Sequence, residues 1–127
     1  MEAIQTANAP AAIGPYSQAI RANGFLFVSG QIPIDPRNGE IVSGGFSEQA
    51  RQSLENMKQI LIASGAGLDS VLAVDVFITD MSRFADFNKV YEEYFLTHKP
   101  ARAVVEVKGL PRGVAVEVKC VAVAPPS

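Results

Sequence analysis

The chain has 127 residues, which suits one domain and leaves little room for two, so residues 1–127 are read as a single domain. Hydrophobic residues make up 48% and charged residues 19%, enough apolar material for a core and too little charge for a disordered chain. The formal net charge of -2 argues against a surface that tracks the phosphates of a nucleic acid.

The first half of the chain is predicted to hold a hairpin and a helix. Ala19–Ser29 contains two short apolar runs separated by Asn23-Gly24, and both of these residues tolerate the positive φ of a tight hairpin turn. Residues 34–45 are rich in Pro, Asn and Gly and are predicted to be loop. A helix follows, with Ser47 as its predicted N-cap, Gly65 at its end, and apolar residues at helical spacing: Ala50, Leu54, Met57 and Leu61.

The second half is predicted to alternate strands with one more helix. Val71–Ile78 is rich in β-branched residues and is predicted to be a strand. Ser82 is the predicted cap of a second helix, whose apolar stripe is aromatic: Phe84, Phe87, Tyr91 and Phe95. Arg102–Val107 and Val114–Val123 are the last two predicted strands, and the Pro125-Pro126-Ser127 tail cannot continue a ladder.

This order of elements predicts an α+β fold with a split βαβ layout and both helices packed on one face of the sheet. Alternation places a wholly apolar set on that face: Leu72, Val74, Val76, Ile78, Val114, Val116, Val118, Cys120 and Ala122. The other face mixes apolar residues with Asp75, Glu117 and Lys119. Because two helices cover only one side, we expect a homo-oligomer packed through its sheets; an ordinary sheet with a wet outer face is the alternative.

The common catalytic and metal motifs are missing from the sequence. One Cys excludes an intramolecular disulfide, and one His is too few for an ordinary zinc site within one subunit. His98 is expected at the end of the second helix and Cys120 in the core, neither with a catalytic role. No apolar run approaches the roughly 20 residues of a membrane helix, and the N-terminus lacks a signal-peptide layout, so a cytoplasmic location is expected.

A few residues are unusual on packing grounds. Tyr16 lies in a rigid Gly-Pro turn before the first strand, and Asn88 lies on the apolar stripe of the second helix, where its amide needs partners. Arg102 opens a strand and Glu117 lies on the mixed sheet face. These two residues could form an ordinary interface ion pair, or Arg102 could hold a small carboxylate while Glu117 handles a proton or a water. Their spacing leaves both readings open.

Six motifs occur in order along nearly the whole chain: Gly14-Pro15-Tyr16-Ser17-Gln18-Ala19, Phe27-Val28-Ser29-Gly30-Gln31-Ile32-Pro33, Leu54-Glu55-Asn56, Phe87-Asn88-x-x-Tyr91, Pro100-Ala101-Arg102 and Leu110-Pro111. In this order they resemble the RidA/YjgF family of reactive-intermediate deaminases, also called the L-PSP or Rid family. The resemblance implies a chorismate-mutase-like homotrimer whose sheets form a central barrel, with active sites in clefts between subunits.

The resemblance also implies an activity. Its best-known members hydrolyse reactive 2-imino acids, such as 2-iminobutanoate and 2-iminopropanoate, to 2-oxo acids and ammonia. These substrates are products of pyridoxal-phosphate-dependent dehydratases, and the reaction needs neither a metal nor an organic cofactor. The implied partner is therefore a small 2-imino acid, with no nucleic acid and no membrane.

The site residues carry over from the family one by one. Arg102 matches the arginine that clamps the substrate carboxylate, and Glu117 matches the glutamate near the attacking water. Tyr16 matches the tyrosine that borders the substrate. Three more residues match positions that line or support the pocket: Ser29, Gly30 and Asn88.

The sequence departs from the family pattern at two positions. Val104 stands where many relatives have Cys, which implies that a thiol there is unnecessary or that the substrate differs. Lys119 stands where many relatives have an acidic residue, which alters the charge near the site and bears on substrate preference. Neither departure touches Arg102 or Glu117.

Two other functions stay open at the level of sequence. One is an endoribonuclease or translation inhibitor, an activity reported for some relatives; the acidic balance and the lack of a His pair or a basic stripe argue against it. The other is a non-catalytic sensor that uses the same carboxylate pocket. Such a protein would bind 2-oxo acids without accelerating the loss of imine.

Overall fold

The chain folds into a six-stranded sheet with two helices on one face, as seen in a computed structural model that describes residues 1–125. The elements are β1 (Glu2–Ile4), β2 (Ala19–Ala22), β3 (Phe25–Gln31), β4 (Ile34–Asp35), β5 (Glu40–Ile41), α1 (Phe46–Ala63), β6 (Val71–Ile78), α2 (Phe84–Tyr94), β7 (Ala101–Glu106) and β8 (Val116–Val123). The sheet order is β1-β2-β3-β8-β6-β7, while β4 and β5 form a separate ribbon. Only the β6–β7 pair in the described sheet is parallel, because α2 crosses over between those two strands.

The α+β layout and most of the predicted elements are confirmed. Asn23 and Gly24 have φ of 53° and 82°, so they form the tight turn between β2 and β3. β6 has the predicted bounds, and Gly65 takes the left-handed conformation, with φ of 80°, that follows α1. Of the predicted Pro125-Pro126-Ser127 tail, Pro126 and Ser127 lie outside the described residues.

The core lies between the helices and one sheet face. α1 contributes side chains with no exposed surface, among them Leu54 and Met57, and α2 contributes Phe87. They pack on the apolar face of β6 and β8, which is formed by Val71, Val74, Val76, Ile78, Val116, Val118, Cys120 and Ala122. Burial raises the pKa of the Cys120 thiol to about 12, so this cysteine stays protonated, in agreement with its predicted core role.

One residue of the predicted apolar face was placed wrongly. Leu72 is 43% exposed, and Val71 is buried in its stead. The register shifts between Val71, which lies opposite Ala122, and Ala73, which lies opposite Val121. This bulge inserts Leu72 as an extra residue and reverses the alternation before it, which period-two counting cannot detect.

Both predicted helix caps are also wrong. α1 begins at Phe46 with Gly45 as its N-cap, so Ser47 already lies inside the first turn. Before α2, the Asp80 carboxylate accepts hydrogen bonds from the backbone N–H of Ser82, at 3.0 Å, and from its hydroxyl, at 2.7 Å. Asp80 therefore caps a short 3-10 turn that leads into α2, and Ser82 is a donor in that turn.

Three smaller predictions need correction. The 34–45 segment, predicted to be loop, contains the β4–β5 ribbon, and β1 was not predicted. His98 lies beyond the end of α2, and its Nε2 is 2.6 Å from the carbonyl oxygen of Val71. This imidazole therefore links the α2–β7 connection to the start of β6, and within residues 1–125 it makes no hydrogen bond to the carbonyls at the end of α2.

The second sheet face carries exposed apolar side chains. Five of them are 41–48% exposed: Phe25, Phe27, Leu72, Val105 and Val123. Asp75 and Lys119 lie among them as cross-strand neighbours on β6 and β8. The sequence prediction of a mixed face is confirmed, and we call it the open face. Among residues 1–125, no helix combines the length and apolar character that crossing a membrane requires.

Candidate functional site

Two clefts hold the six residues that the sequence singled out. The larger one, the open-face cleft, has a volume of about 850 Å³ and is lined by residues that include Tyr16, Ser29, Gly30, Arg112, Glu117 and Lys119. The smaller one, the helix-edge cleft, has a volume of about 300 Å³ and lies where α2 meets β7. Its lining includes Asn88, Tyr91, Lys99 and Arg102.

A bulge in β3 shapes the wall of the open-face cleft. Val28 lies opposite Cys120 and Gln31 lies opposite Val118, so β3 has one residue more than β8 in this interval. Val28 and Gln31 are both buried, whereas Ser29 and Gly30 between them are partly exposed and line the cleft. Without the bulge, one of the two would point into the core, since side chains alternate along a regular strand.

Gly30 and Glu117 are in very close contact. A Cβ atom at residue 30 would overlap Oε2 of Glu117 and would lie 2.9 Å from its Cδ. The Glu117 carboxylate therefore occupies the space that any other side chain at position 30 would need. This contact holds the carboxylate against the β3 backbone at the floor of the cleft.

Tyr16 is attached to the cleft through the same bulge. The Ser29 hydroxyl donates a hydrogen bond to the Ser17 carbonyl, and the Ser29 N–H donates one to the Gln18 carbonyl at 2.9 Å. Gln18 is 2% exposed, and its side-chain amide bonds the backbone of Thr6, at 2.7 and 3.0 Å, and of Pro10, at 2.7 Å. Ser29 is thus a tether for the Tyr16 segment, and Gln18 holds the N-terminal segment that runs beside it.

The electrostatics of the open-face cleft centre on Glu117. Burial raises the pKa of this carboxyl group, and the positive charge of Lys119 opposes that rise. Within residues 1–125, the Glu117 carboxylate accepts no hydrogen bond from the protein. The group is therefore available to a water or a ligand and is easier to protonate than a solvated carboxylate.

In the helix-edge cleft, α2 holds the side chain of Arg102. Its Nη1 donates a 2.8 Å hydrogen bond to Oδ1 of Asn88, and its guanidinium carbon lies 4.7 Å from the ring centroid of Tyr91 and 5.7 Å from that of Phe84. In the described part of the chain, Arg102 has no acidic partner within 4 Å. Asn88 therefore supports the arginine. This hydrogen bond also gives the Asn88 amide the partner that its place on the apolar stripe requires.

Arg102 and Glu117 lie on opposite faces of the sheet. Arg102 is the cross-strand neighbour of Val74, on the face under the helices, whereas Glu117 is the neighbour of Phe77, on the open face. Neither cleft contains both residues. This placement excludes an ion pair between them within one subunit. The interface ion pair, one of the two readings that the sequence left open, stays a prediction, as does the binding of a small carboxylate.

The model of the Endoribonuclease L-PSP family matches residues 6–124. The chain belongs to this family, the RidA/YjgF or Rid family. A RutC family protein of Pyrococcus horikoshii is 55% identical over 95% of this chain and 96% of its own. The human 2-iminobutanoate/2-iminopropanoate deaminase is 44% identical over 97% of this chain and 90% of its own. Among solved structures, E. coli TdcF with bound serine has a TM-score of 0.93 and 41% identity, covering 98% of this chain and all of that one.

Within the Rid fold of this chain, sequence reasoning missed the roles of Arg112 and Tyr91 in the two clefts. Arg112 lines the open-face cleft, has φ of 58°, and its Nη1 donates a 3.2 Å hydrogen bond to the Gly39 carbonyl. The Leu110-Pro111 motif next to it was a signal for this position. Tyr91 was assigned to the apolar stripe, but it also contacts Arg102, which only the packing of β7 on α2 reveals.

The contact between Gly30 and Glu117 predicts the effect of a single methyl group. Gly30→Ala is expected to keep the fold, because the φ of residue 30 suits an L-residue and the side chain that must yield is flexible. The Glu117 carboxylate is expected to move away from the β3 backbone and to become more solvated, which lowers its pKa. Carboxyl ¹³C NMR checks this. Gly109→Ala, where the new Cβ meets nothing, is the matched control. A Glu117 signal that is unchanged in Gly30→Ala would contradict the contact.

The charge of Lys119 predicts a second shift. In Lys119→Met the pKa of Glu117 is expected to rise further above its ordinary value, because the opposing positive charge is gone. Since the raised pKa belongs to the folded state, the stability linked to this group is present below the ordinary glutamate pKa and is lost as pH rises through the raised value. An NMR titration of both proteins measures the pKa shift. A Glu117 pKa that is unchanged in Lys119→Met would show that the lysine does not act on it, and a pKa that falls would contradict the sign of its effect.

Proposed function

We propose that this protein hydrolyses small 2-imino acids, such as 2-iminobutanoate and 2-iminopropanoate, to 2-oxo acids and ammonia. The observation that carries the proposal is a pair of charged groups that form no ion pair within 4 Å in residues 1–125: the half-buried Glu117 carboxylate and the Arg102 guanidinium. The human relative, which is 44% identical to this chain and is named for this deaminase activity, supports the proposal. The Pyrococcus relative is named only as a RutC family protein, so its name says nothing about an activity.

In this mechanism Arg102 binds the carboxylate of the substrate. One of its five N–H donors is used by Asn88, and the remaining ones suit a planar, bidentate carboxylate. Holding the substrate by this end fixes the position of its C2 carbon. An iminium carbon is already electrophilic, so orientation beside a water supplies useful acceleration without a covalent intermediate on the protein.

Glu117 then serves as the proton acceptor. A water beside its carboxylate attacks C2, a C–O bond forms, and the proton lost by the water passes to Glu117. In the second step the protonated Glu117 gives its proton to the nitrogen of the carbinolamine. The C–N bond then breaks and ammonia leaves, while the carbinolamine hydroxyl passes its proton to the Glu117 carboxylate as the C2 carbonyl forms. Glu117 returns to its starting state when this proton passes to the departing ammonia. The burial that raises the Glu117 pKa makes its protonated form accessible for the return of that proton. Tyr16, Ser29 and Gly30 form the wall of this site.

Because Arg102 and Glu117 lie on opposite faces of the sheet, we assign the complete site to two subunits. The Arg102 edge of one copy lies against the open-face cleft of the next, in a ring that the family resemblance makes a trimer. The exposed apolar residues of the open face support this arrangement, since a monomer gains nothing by leaving several large apolar side chains in water. Packing of these faces around one axis forms the expected barrel.

A non-catalytic carboxylate sensor is the second candidate, favoured by the name of E. coli TdcF with bound serine. It would use the same arginine and would leave the imine unchanged. The endoribonuclease in the name of the family model is less well supported, because the net charge is -2 and the described clefts contain no His pair.

The deaminase assay follows release of 2-oxo acid and ammonia from 2-aminoacrylate and 2-aminocrotonate, generated by an excess of serine/threonine dehydratase so that imine loss limits the signal. The wild type is expected to accelerate the release. Arg102→Ala is expected to lose about 10- to 100-fold in kcat/KM through the lost carboxylate bonds. Glu117→Gln is expected to lower kcat by about 100-fold or more while 2-oxo acid binding persists.

The same assay separates the candidates. Binding of 2-oxobutanoate without acceleration by the wild type would favour the sensor. RNA cleavage that survives both Arg102→Ala and repurification would favour the nuclease. Arg37→Ala is a matched control, because Arg37 is an exposed arginine paired with Asp35 and lies in neither of the two clefts.

Mixed oligomers test the shared site. Arg102→Ala and Glu117→Gln chains carrying different tags are co-expressed, and oligomers that carry both tags are purified. In a trimeric ring with sites between neighbours, about one site in three then has both native residues, so activity is expected to return to about one third of wild type. Doubly tagged oligomers of Arg102→Ala alone are the control. Mixed oligomers as inactive as this control would place Arg102 and Glu117 of each site in one subunit.

A further inference from the structure

The orientation of Arg102 depends on contacts outside its own strand. Arg102 lies on β7, the last strand of the sheet, and is exposed. A free arginine side chain samples many rotamers, and fixing it for a bidentate contact costs conformational entropy. A carboxylate clamp at this edge therefore needs something that orients the guanidinium before the ligand arrives.

Tyr91 offers a rigid surface for this purpose. Its side chain is 8% exposed, and its ring stacks on that of Phe95 at a centroid distance of 4.7 Å and lies 5.7 Å from that of Phe87. Phe84, the other ring near Arg102, is 37% exposed and lies 1 Å farther from the guanidinium, at 5.7 Å against 4.7 Å. Tyr91 is thus the better fixed and the nearer of the two rings.

The contact with Tyr91 leaves the useful part of the guanidinium free. A cation–π contact uses the face of the planar group, whereas hydrogen bonds to a carboxylate use its N–H edge. Asn88 takes one donor at that edge, at 2.8 Å. The ring 4.7 Å from the guanidinium carbon and the amide on one donor together restrict the rotation of the fork, while its other donors have no hydrogen-bond partner within residues 1–125.

The hydroxyl of Tyr91 is not needed for this contact. It is buried and has no hydrogen-bond partner within residues 1–125, and burial raises the pKa of Tyr91 to about 12, so the ring stays neutral beside the cation. A buried hydroxyl without a partner destabilises the fold. Tyr91 therefore interacts with the Arg102 guanidinium through the face of its ring.

From these contacts we propose that Tyr91 is a positioning residue that sets the affinity of the site for the substrate carboxylate through the face of its ring. The proposal rests on the carboxylate-binding role of Arg102 in the function given above. Because the clamp holds substrate and transition state alike, the loss of its support raises KM and leaves kcat nearly unchanged.

Three variants test the proposal by imine kinetics and by calorimetry with 2-oxobutanoate, a 2-oxo acid that needs no turnover. Tyr91→Leu removes the aromatic face and is expected to raise KM and the Kd of 2-oxobutanoate about five- to twentyfold. Tyr91→Phe keeps the face and is expected to stay within about twofold of the wild type. Phe87→Leu is the matched control, since it removes a fully buried ring of α2 that has no cation–π contact with Arg102.

The proposal is overturned if Tyr91→Leu binds and turns over like the wild type, or if Phe87→Leu raises KM equally, which would indicate general loosening of α2. It is also overturned if Arg102→Ala binds 2-oxobutanoate normally, because the ring would then have no clamp to position. If the wild type accelerates no imine loss but the calorimetric order of the variants holds, the deaminase proposal fails and the positioning role of Tyr91 stands.

Discussion

The contact between Glu117 and the backbone at Gly30 is the constraint on which the open-face cleft depends. The carboxylate fills the place of a side chain and can take this position only because residue 30 lacks one, and β3 must bulge for residues 29 and 30 to face the same side. The same bulge aims the Ser29 hydroxyl at the Ser17 carbonyl and thereby holds the Tyr16 segment. One irregularity in a strand thus sets the position of the carboxylate, the backbone below it and the aromatic wall beside it.

Side-chain amides of α1, one buried and one partly buried, hold chain segments next to this cleft. Asn56 of α1 is 1% exposed, and its Nδ2 donates to the carbonyls of Ile32, at 3.2 Å, and Ile34, at 2.9 Å. Gln49 accepts a 2.8 Å hydrogen bond from the N–H of Ala115, just before β8. Such bonds give an irregular loop the partners that a strand receives from its neighbour. Asn56, a polar residue of the motifs, therefore has a structural role behind the part of the cleft wall formed by Ile32 and Ile34.

Regular periodicity made most of the fold predictable. Period-two and helical patterns predict β6, β8, α1 and α2, because burial on one face fixes which residues are apolar. The patterns fail where the chain is irregular, as at the Leu72 bulge and at the turn capped by Asp80. Family resemblance named the site residues, but linear spacing could not show that Arg102 and Glu117 face opposite ways. That fact follows from the pairing of each strand with β6, a contact between distant parts of the chain.

The division of the two charged groups has a physical advantage. An arginine and a glutamate close together in one subunit would form an ion pair, which would use the donors needed for a substrate carboxylate and lower the pKa of the glutamate. Here the sheet separates them, so Arg102 is oriented by neutral groups and Glu117 by backbone and burial. In the function proposed above, the two groups meet only across an interface, with the substrate between them. Assembly then controls activity, because in a free subunit Arg102 and Glu117 lie in different clefts and no complete site exists.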